Sequence, residues 1–238
     1  MSGTTQKTIR DYTIAVTLAV VIALLVRFFL IEAYRIPSQA MKPTLHAGDT
    51  IFVSKSPFGL RLPGAGKPFT KGRLPHRGEV VVFSSPIEPD REYIKRVIAL
   101  PGEKVEIRSG QLFIDGKKII HSAQKVSAKG EENCGSETLP ASPGASFPTL
   151  HHGLCWEPPT LEDLPPSTIP EGSVFVLGDL RTAGEGLRRQ MRGESWGIIP
   201  LNSIRGSALW IWLSVEPGGN DGGWLPKFRL QRMFRRIK

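Results

Sequence analysis

A run of apolar residues near the N-terminus dominates the hydrophobic pattern of the chain. Residues 12–31 carry a single charge, Arg27. A helix of about 20 apolar residues spans roughly 30 Å, the thickness of the hydrocarbon core of a bilayer, so the run predicts a transmembrane helix over 12–32. Arg27 lies one turn from its end, where a long side chain can reach the headgroups. A cleaved secretory signal has a shorter apolar region and a small-x-small exit, so we expect a retained anchor.

Positive charges on the two sides of this helix bear on its orientation. Lys7 and Arg10 precede the helix, which favours a cytoplasmic N-terminal tail (1–11) and a translocated remainder. Arg35 and Lys42 follow closely on the other side and oppose this rule. Because long domains translocate largely regardless of charge, we keep the first orientation.

Beyond the anchor the pattern changes to short β-branched and aromatic segments separated by Gly and Pro turns. Trp210 and Trp212 alternate onto one face of the last segment, as core or interface residues often do. The pattern predicts one mainly β exported domain over 33–238. The predicted strands are 50–54, 79–83, 93–100, 104–107, 111–114, 173–177 and 208–213, with a hairpin turn at Ser109-Gly110.

An insertion, predicted as a cap over 108–170, separates these strands. The stretch from Ser122 to Pro170 is rich in Pro, Ser, Gly and Glu and has little hydrophobic periodicity. Such a composition is typical of irregular structure, so we expect an irregular and peripheral cap. The fold class is therefore mainly β, an antiparallel sheet domain with an irregular inserted cap on an N-terminal transmembrane helix.

The two cysteines of the chain, Cys134 and Cys155, both fall within this cap. An even cysteine count in an exported domain favours a disulfide, and closing a loop of this size contributes on the order of 3 kcal/mol. A metal site made of His151, His152 and Cys155 is the alternative, but the short spacing and the lack of a Cys-x-x-Cys pair argue against it.

The net charge of +9 comes from 31 basic and 22 acidic residues and is concentrated in two stretches without acids, 56–77 and 225–238. A translocated domain rarely meets nucleic acid, so attraction to anionic lipid is the better functional interpretation. The tail 225–238 is amphipathic, because apolar residues interleave with its charges. It predicts either a segment on the bilayer surface or ordinary packing against the domain. These apolar residues are Phe228, Leu230, Met233, Phe234 and Ile237.

Separated segments of the exported domain share a pattern with one enzyme family. Residues 34–45 read YRIPSQAMKPTL, and residues 77–83 and 93–103 read RGEVVVF and YIKRVIALPGE. They resemble the bacterial signal peptidase I family, whose motifs are Pro-Ser-x-Ser-Met-x-Pro-Thr-Leu, Arg-Gly-Asp-Ile-Val-Val-Phe and Tyr-Ile-Lys-Arg before Leu-Pro-Gly-Asp. The resemblance covers most of 34–105 and of 172–213, and it implies a signal-peptidase-like β domain.

The resemblance implies a Ser/Lys dyad with one decisive difference. The second serine of the first motif is the family's nucleophile, and Ala40 holds that position here. The lysine of the second motif is the family's general base, which implies this role for Lys95. Burial in apolar surroundings can lower a lysine pKa from about 10.4 toward neutrality, and Lys95 sits in an otherwise apolar strand; a solvated edge lysine is the alternative. A methyl group cannot attack a carbonyl, so the chain is predicted to be inactive as written.

The same resemblance implies an oxyanion hole and a substrate surface. Ser38 matches the residue whose hydroxyl helps the N–H of Ala40 to form the oxyanion hole, although a local turn serine would look the same. An extended signal peptide would bind by adding a strand here. Pockets for small residues need apolar walls, which core residues of any β domain also supply. The matching positions are Ile36, Pro37, Met41, Leu45, Tyr93 and Ile94.

A third segment, 178–188, reads GDLRTAGEGLR and resembles the family's Gly-Asp-Asn-Arg-x-Asn-Ser-x-Asp-Ser-Arg. Asp179, Arg181 and Arg188 match and are implied as structural support. We predict that Asp179 pairs with Arg96, because the family links those positions.

The same segment also loses two polar positions of the family pattern. Gly184 stands where the family has the serine that hydrogen-bonds the lysine, and Gly186 replaces the nearby aspartate. These changes remove support for positioning Lys95.

The resulting functional hypothesis is a signal peptidase I of the bacterial inner membrane, which removes signal peptides from exported preproteins after small-x-small sites. We expect signal peptides, membrane lipid and the secretion translocon as partners, with no cofactor, metal or nucleic acid. Two explanations of Ala40 stay open. Either serine was replaced by design, or the chain is a natural non-catalytic homologue that binds signal peptides or scaffolds a secretion complex. Ser38 as a substitute nucleophile and a purely structural tether fit less well.

Overall fold

The elements of the fold follow the hydrophobic pattern closely. The structure, a computed structural model, describes residues 3–61, 68–124, 133–142, 149–156, 163–181, 197–217 and 227–237. Helix α1 spans Gly3–Phe29. The strands are β1 (Ile31–Arg35), β2 (Asp49–Ser54), β3 (Val80–Ser84), β4 (Glu92–Ala99), β5 (Lys104–Arg108), β6 (Gln111–Ile114), β7 (Lys117–Lys118), β8 (Ile120–Gln124), β9 (Asn133–Pro140), β10 (Thr149–Trp156), β11 (Leu164–Thr168), β12 (Ser173–Leu177), β13 (Leu180–Arg181), β14 (Ile198–Pro200), β15 (Ile204–Ser214) and β16 (Arg235–Arg236).

Helix α1 contains the predicted anchor. Within the described residues it is the one helix long and apolar enough to cross a membrane, over Ile9–Phe29. The prediction that the anchor extends to residue 32 is wrong at its end. Strand β1 starts at Ile31, which lies opposite Ser54 of β2, so the backbone there is already hydrogen-bonded in the sheet.

The main sheet has the order β1–β2–β15–β3–β4–β12–β14, with β16 paired to the edge of β15, and its adjacent strands are antiparallel. All five residues of β3 are buried, because both faces of the sheet are covered there. Val80 and Val82 pack on one side with the loop after β1, while Val81 and Phe83 pack on the other. The predicted mainly β, antiparallel fold is thus confirmed.

A second sheet, β11–β5–β6–β7, packs against the end of the main sheet. Its hairpin of β5 and β6 is the one predicted around Ser109-Gly110. Phe175 of β12 is fully buried between the two sheets, in one cluster with Ile98, Val105 and Leu112. This apolar contact fixes the position of β12, whose C-terminal end leads into the site.

The expectation of an irregular, peripheral cap is wrong for the described part of the insertion. Strands β8, β9 and β10 form an antiparallel sheet that β13 extends, with β10 and β13 parallel. Cys134 and Cys155 lie opposite each other on β9 and β10 and form a disulfide, so Cys155 is not available as a metal ligand. Pairing with β13 explains why this sheet is not peripheral: it is built onto the segment that carries Asp179.

The C-terminal segment packs against the domain, which was one of the two alternatives predicted for the tail. Ile237 joins the apolar cluster beneath the loop after β1, and β16 pairs with β15. Phe228, Leu230 and Phe234 of the same segment remain exposed. The segment is therefore docked and still presents apolar side chains to its surroundings.

The contact between the two sheets gives a stability prediction. We expect Phe175→Ala to lower the unfolding free energy of the full chain in detergent by about 3–5 kcal/mol, because it leaves a cavity in a fully buried cluster. Phe69→Ala is the matched control, since that ring is 58% exposed; it should change stability by less than about 0.5 kcal/mol. Denaturant titration followed by circular dichroism measures both, and equal losses would contradict the packing described.

Candidate active site

The loop over residues 36–48 joins β1 to β2 and carries position 40. Its ends are closed by backbone hydrogen bonds from Ile36 N to Asp49 O (2.8 Å) and from Gly48 N to Ile36 O (2.9 Å). Gly48 has a φ of +87°, and a Cβ there would lie 2.0 Å from the Val215 carbonyl oxygen, so only glycine fits. Three buried side chains of the loop pack it against the sheet beneath: Ile36, Met41 and Leu45.

Lys95 lies on β4 beside this loop. Its side chain is buried, at 6% exposure, and Lys95 is opposite Val81 in the sheet. A Cβ on Gly178 would lie 2.5 Å from the Ala40 carbonyl oxygen and 3.1 Å from Lys95 Nζ. Because residue 178 is glycine, the Lys95 amine and the backbone of residue 40 can both lie close to it and therefore close to each other. Leu180 N also donates to Ala40 O, at 3.2 Å.

The surroundings of Lys95 favour its neutral form. Burial lowers the pKa of Lys95 to about 8, the Asp179 carboxylate opposes this by raising the pKa, and the Arg181 guanidinium adds to the lowering. The loss of water around a cationic amine is the main physical cause. A lysine with this pKa has an appreciable neutral fraction near neutral pH, which is what a proton acceptor requires.

A buried ion pair lies directly behind Lys95. Arg96 donates from Nε to Asp179 Oδ1 (2.8 Å) and from Nη2 to Asp179 Oδ2 (2.6 Å), and neither side chain has any exposed surface. Arg96 also donates from Nη1 to the Gly78 carbonyl oxygen at 2.7 Å, and the Thr44 hydroxyl donates to Asp179 Oδ2 at 2.5 Å. The predicted Arg96–Asp179 pair is present, and Thr44 attaches it to the loop.

The inserted sheet adds two side chains, Glu137 and His152, that were not predicted as site residues. Arg181 donates to Glu137 Oε2 of β9 (2.7 Å) and to the Gly178 carbonyl oxygen (2.8 Å). His152 of β10 is buried with Nε2 3.4 Å from Glu137 Oε2. Burial raises the pKa of Glu137, but the charges of Arg181 and His152 outweigh it and lower that pKa to about 2.

The reason for this omission is physical. Glu137 lies in a Ser/Gly/Thr stretch without a helical or strand-like apolar pattern, and His152 attracted attention only as a possible metal ligand. Nothing local indicates that β10 pairs with β13. Cys155 N donates to Asp179 O at 2.9 Å, and tertiary contacts of this kind bring Glu137 and His152 to the site.

The predicted substrate positions separate into two groups. Ile36, Met41, Leu45 and Ile94 lie in one apolar cluster beneath the loop. Tyr93 packs in the cluster on the opposite face of the sheet, with its ring centroid 6.1 Å from that of Phe83. Pro37 and Ser38 are exposed on the loop, next to the partly buried Ala40. Arg188, Gly184 and Gly186 lie outside the described residues.

A family model and several known signal peptidases are similar in sequence to this chain. The family model described as signal peptidase, peptidase S26, matches residues 9–213. A signal peptidase I of Pseudomonas fluorescens is 34% identical over 200 residues, which cover 81% of this chain and 68% of that protein. A signal peptidase I of Rickettsia typhi is 28% identical over 260 residues, covering 98% and 96%. A crystal structure of a signal peptidase I from Enterococcus faecalis aligns with 29% identity and a TM-score of 0.30, covering 57% of this chain and 97% of that one.

The lowered pKa of Lys95 predicts a pH-dependent stability. Between pH 8 and the ordinary lysine pKa of 10.5, the unfolded chain holds a proton that the folded protein has released, so the unfolding free energy rises with pH in this window. Below pH 8 the burial penalty is present in full, at up to about 3 kcal/mol. We expect Lys95→Met to be more stable than the parent at pH 7, with a difference that shrinks toward pH 10.5.

Thermal unfolding in detergent across this pH range measures the effect. Lys104→Met, which replaces an exposed lysine, is the control and should leave the pH dependence of the parent unchanged. A constant difference between Lys95→Met and the parent over the whole range would contradict the assignment of a depressed pKa to Lys95.

Proposed function

Since the chain belongs to the signal peptidase I family, we propose that its site binds the signal peptides of exported proteins in the geometry used for their cleavage, and that Ala40 blocks the reaction itself. The observation that carries this proposal is the buried Lys95 amine beside the backbone of position 40, across Gly178. An apolar interior has no structural need for a buried lysine at this place. A proton acceptor next to the nucleophile position needs one.

The reaction that the site would support with a serine at position 40 follows from this geometry. Lys95 Nζ would accept the proton of the serine hydroxyl, and the oxygen would attack the carbonyl carbon of the scissile peptide bond. Ser38 and the N–H of residue 40 are the candidate donors to the resulting oxyanion. The methyl group of Ala40 has neither a proton to give nor an electron pair to donate, so the first step does not occur in this chain.

The loop and the cluster beneath it support the binding of an extended peptide. Tyr34 and Ile94 are partly exposed at the edge of the cluster that contains Ile36 and Met41. Small side chains of a bound strand would contact this apolar surface, while backbone hydrogen bonds supply affinity that does not depend on sequence. We propose small residues flanking the cleavage position on this basis.

The contacts between helix α1 and the domain support a membrane-anchored protein whose site lies near a membrane-bound substrate. Lys55 Nζ donates to the carbonyl oxygen of Phe28, the penultimate helical residue, at 3.2 Å, and Lys55 N donates to Leu30 O at 2.9 Å. We propose a single-pass protein of the bacterial inner membrane with residues 1–11 in the cytoplasm and the domain 33–238 outside. The exposed Phe228, Leu230 and Phe234 support additional contact with lipid.

One sequence feature favours a second function, that of a natural non-catalytic homologue. An alteration made only to remove the nucleophile would not also place Gly184 and Gly186 in the third family segment. A homologue that retains recognition but not catalysis would bind signal peptides or scaffold a secretion complex. The two functions differ in whether the rest of the site still works once serine is restored.

Restoring the hydroxyl gives the deciding experiment. We expect the parent chain in detergent to bind a fluorescent signal peptide without cutting it, and Ala40→Ser to cut it after a small-x-small sequence. Lys95→Met in the Ala40→Ser background should reduce the rate by about 10²–10⁴-fold, because the proton acceptor is lost. Mass spectrometry of the products locates the cut.

The outcomes separate the alternatives. Peptide binding without cleavage by Ala40→Ser identifies the non-catalytic homologue. If neither the parent chain nor Ala40→Ser binds the peptide, signal-peptide recognition itself is overturned. Lys104→Met in the Ala40→Ser background controls for the loss of a positive charge, since that lysine is exposed on β5, and should leave the cleavage rate unchanged.

A further inference from the structure

The C-terminal segment over residues 227–237 contains two kinds of arginine. Arg235 and Arg236 are exposed on β16 at the edge of the main sheet. Arg229 and Arg232 are partly buried and face the loop over residues 36–48. The charges of this amphipathic segment therefore have different surroundings.

Both inward arginines bind the carboxylate of Asp49, which is fully buried. Arg232 donates from Nη2 to Asp49 Oδ2 at 2.6 Å, and Arg229 approaches Oδ1 from Nη2 at 3.2 Å. Asp49 also accepts hydrogen bonds from Ser214 Oγ (2.6 Å) and His46 N (2.9 Å). Burial raises the pKa of Asp49, but the hydrogen bonds from Arg232, Ser214 and His46 N, with the charge of Arg232, lower it overall, so Asp49 stays ionised.

The same arginines hold backbone carbonyl groups of the loop. Arg232 Nη2 donates to Thr44 O at 3.1 Å, and Arg229 Nη2 donates to Ala47 O at 2.7 Å. An arginine that binds a carboxylate and a carbonyl oxygen together fixes the relative position of both, because the guanidinium group is planar and rigid. The last third of the loop is thereby attached to the C-terminal segment.

Thr44 connects this attachment to the proton acceptor. Its carbonyl oxygen is held by Arg232, while its hydroxyl donates to Asp179 and accepts from Arg96 Nη2 at 3.2 Å. Arg96 is the sequence neighbour of Lys95, and Thr44 is four residues from Ala40. A displacement of Thr44 would therefore change the distance between position 40 and the lysine.

We propose that Arg229 and Arg232 are positioning residues, which clamp the loop over residues 36–48 and set the geometry between position 40 and Lys95. The C-terminal segment is then a part of the site and not only a basic surface for lipid. The effect on peptide binding rests on the proposed function, whereas the effect on the loop itself does not.

Local hydrogen exchange of the full chain in detergent tests the clamp. We expect Arg232→Gln to accelerate amide exchange in peptides covering 37–48 by on the order of tenfold or more, because the charge-assisted hydrogen bonds to Asp49 and to the Thr44 carbonyl oxygen are lost. Exchange in the remote hairpin of β5 and β6 should not change. Arg236→Gln is the matched control, since it removes the same charge from an exposed position on the same segment, and it should leave both regions as in the parent.

Arg232→Lys guards against a general loss of folding in the first variant. It keeps the charge near Asp49 but lacks the second donor of the guanidinium fork, Nε, which donates to Asp49 Oδ1 at 3.3 Å. The loop should therefore still exchange faster than in the parent while the hairpin is unaffected. Unchanged exchange over 37–48 in Arg232→Lys, or equal acceleration by Arg236→Gln, would overturn the clamp.

Peptide affinity separates this inference from the proposed function. Arg232→Lys should weaken binding of the fluorescent signal peptide by on the order of tenfold, whereas Arg236→Gln should not, because only the inward arginine shapes the loop. If the loop loosens but the parent never binds the peptide, the clamp stands and the proposed function fails. If the parent binds and Arg232→Lys binds equally well, the clamp does not set the site geometry.

Discussion

The buried ion pair between Arg96 and Asp179 is the interaction on which the arrangement of the site depends. Each of its partners is next to a functional position along the chain: Arg96 follows Lys95, and Asp179 follows Gly178. Neither side chain has any exposed surface, so their charges are stabilised by fixed donors and acceptors, and removing either one would leave an uncompensated buried charge. The pair therefore imposes one relative position on β4 and on the segment that backs position 40.

The electrostatic state of Lys95 follows from the same network. Asp179 and Arg181, the two charged groups that act on Lys95, are already paired with Arg96 and Glu137. A protonated Lys95 would add a positive charge to a buried cluster whose charges are balanced. The loss of hydration on burial, rather than any special property of the lysine, is the main reason that its neutral form is accessible. The inserted sheet contributes to this balance because it supplies Glu137.

Local pattern and family resemblance predicted different parts of this molecule. The apolar run, the strand list and the β5–β6 hairpin follow from residue periodicity, since burial on one or two faces of an element is visible in its own sequence. The resemblance placed Ala40, Lys95, Asp179 and Arg96, and the last two form the predicted pair.

Contacts between distant segments could not be found in this way. The insertion was predicted to be irregular, because its strands carry Ser, Gly and Thr where a local pattern requires apolar residues, and because its partner β13 lies far away in the chain. The end of the anchor was placed too late for a related reason: Ile31 is as apolar as the helix, and only pairing with β2 makes it a strand residue. The inward direction of Arg229 and Arg232 depends on the buried Asp49, far earlier in the sequence.

Helix α1 joins the main sheet directly, and this junction limits which peptide bonds of a substrate can reach the site. Leu30 is the one residue between the helix and β1, and Lys55, which follows β2, donates from its N–H to the Leu30 carbonyl oxygen, so no flexible linker separates the domain from the helix. In the membrane arrangement proposed above, the loop over residues 36–48 would be held at a constant height above the lipid. A membrane-inserted substrate would then bind at one depth only. The distance from the bilayer surface, as well as the substrate side chains, would determine which peptide bond lies at the site.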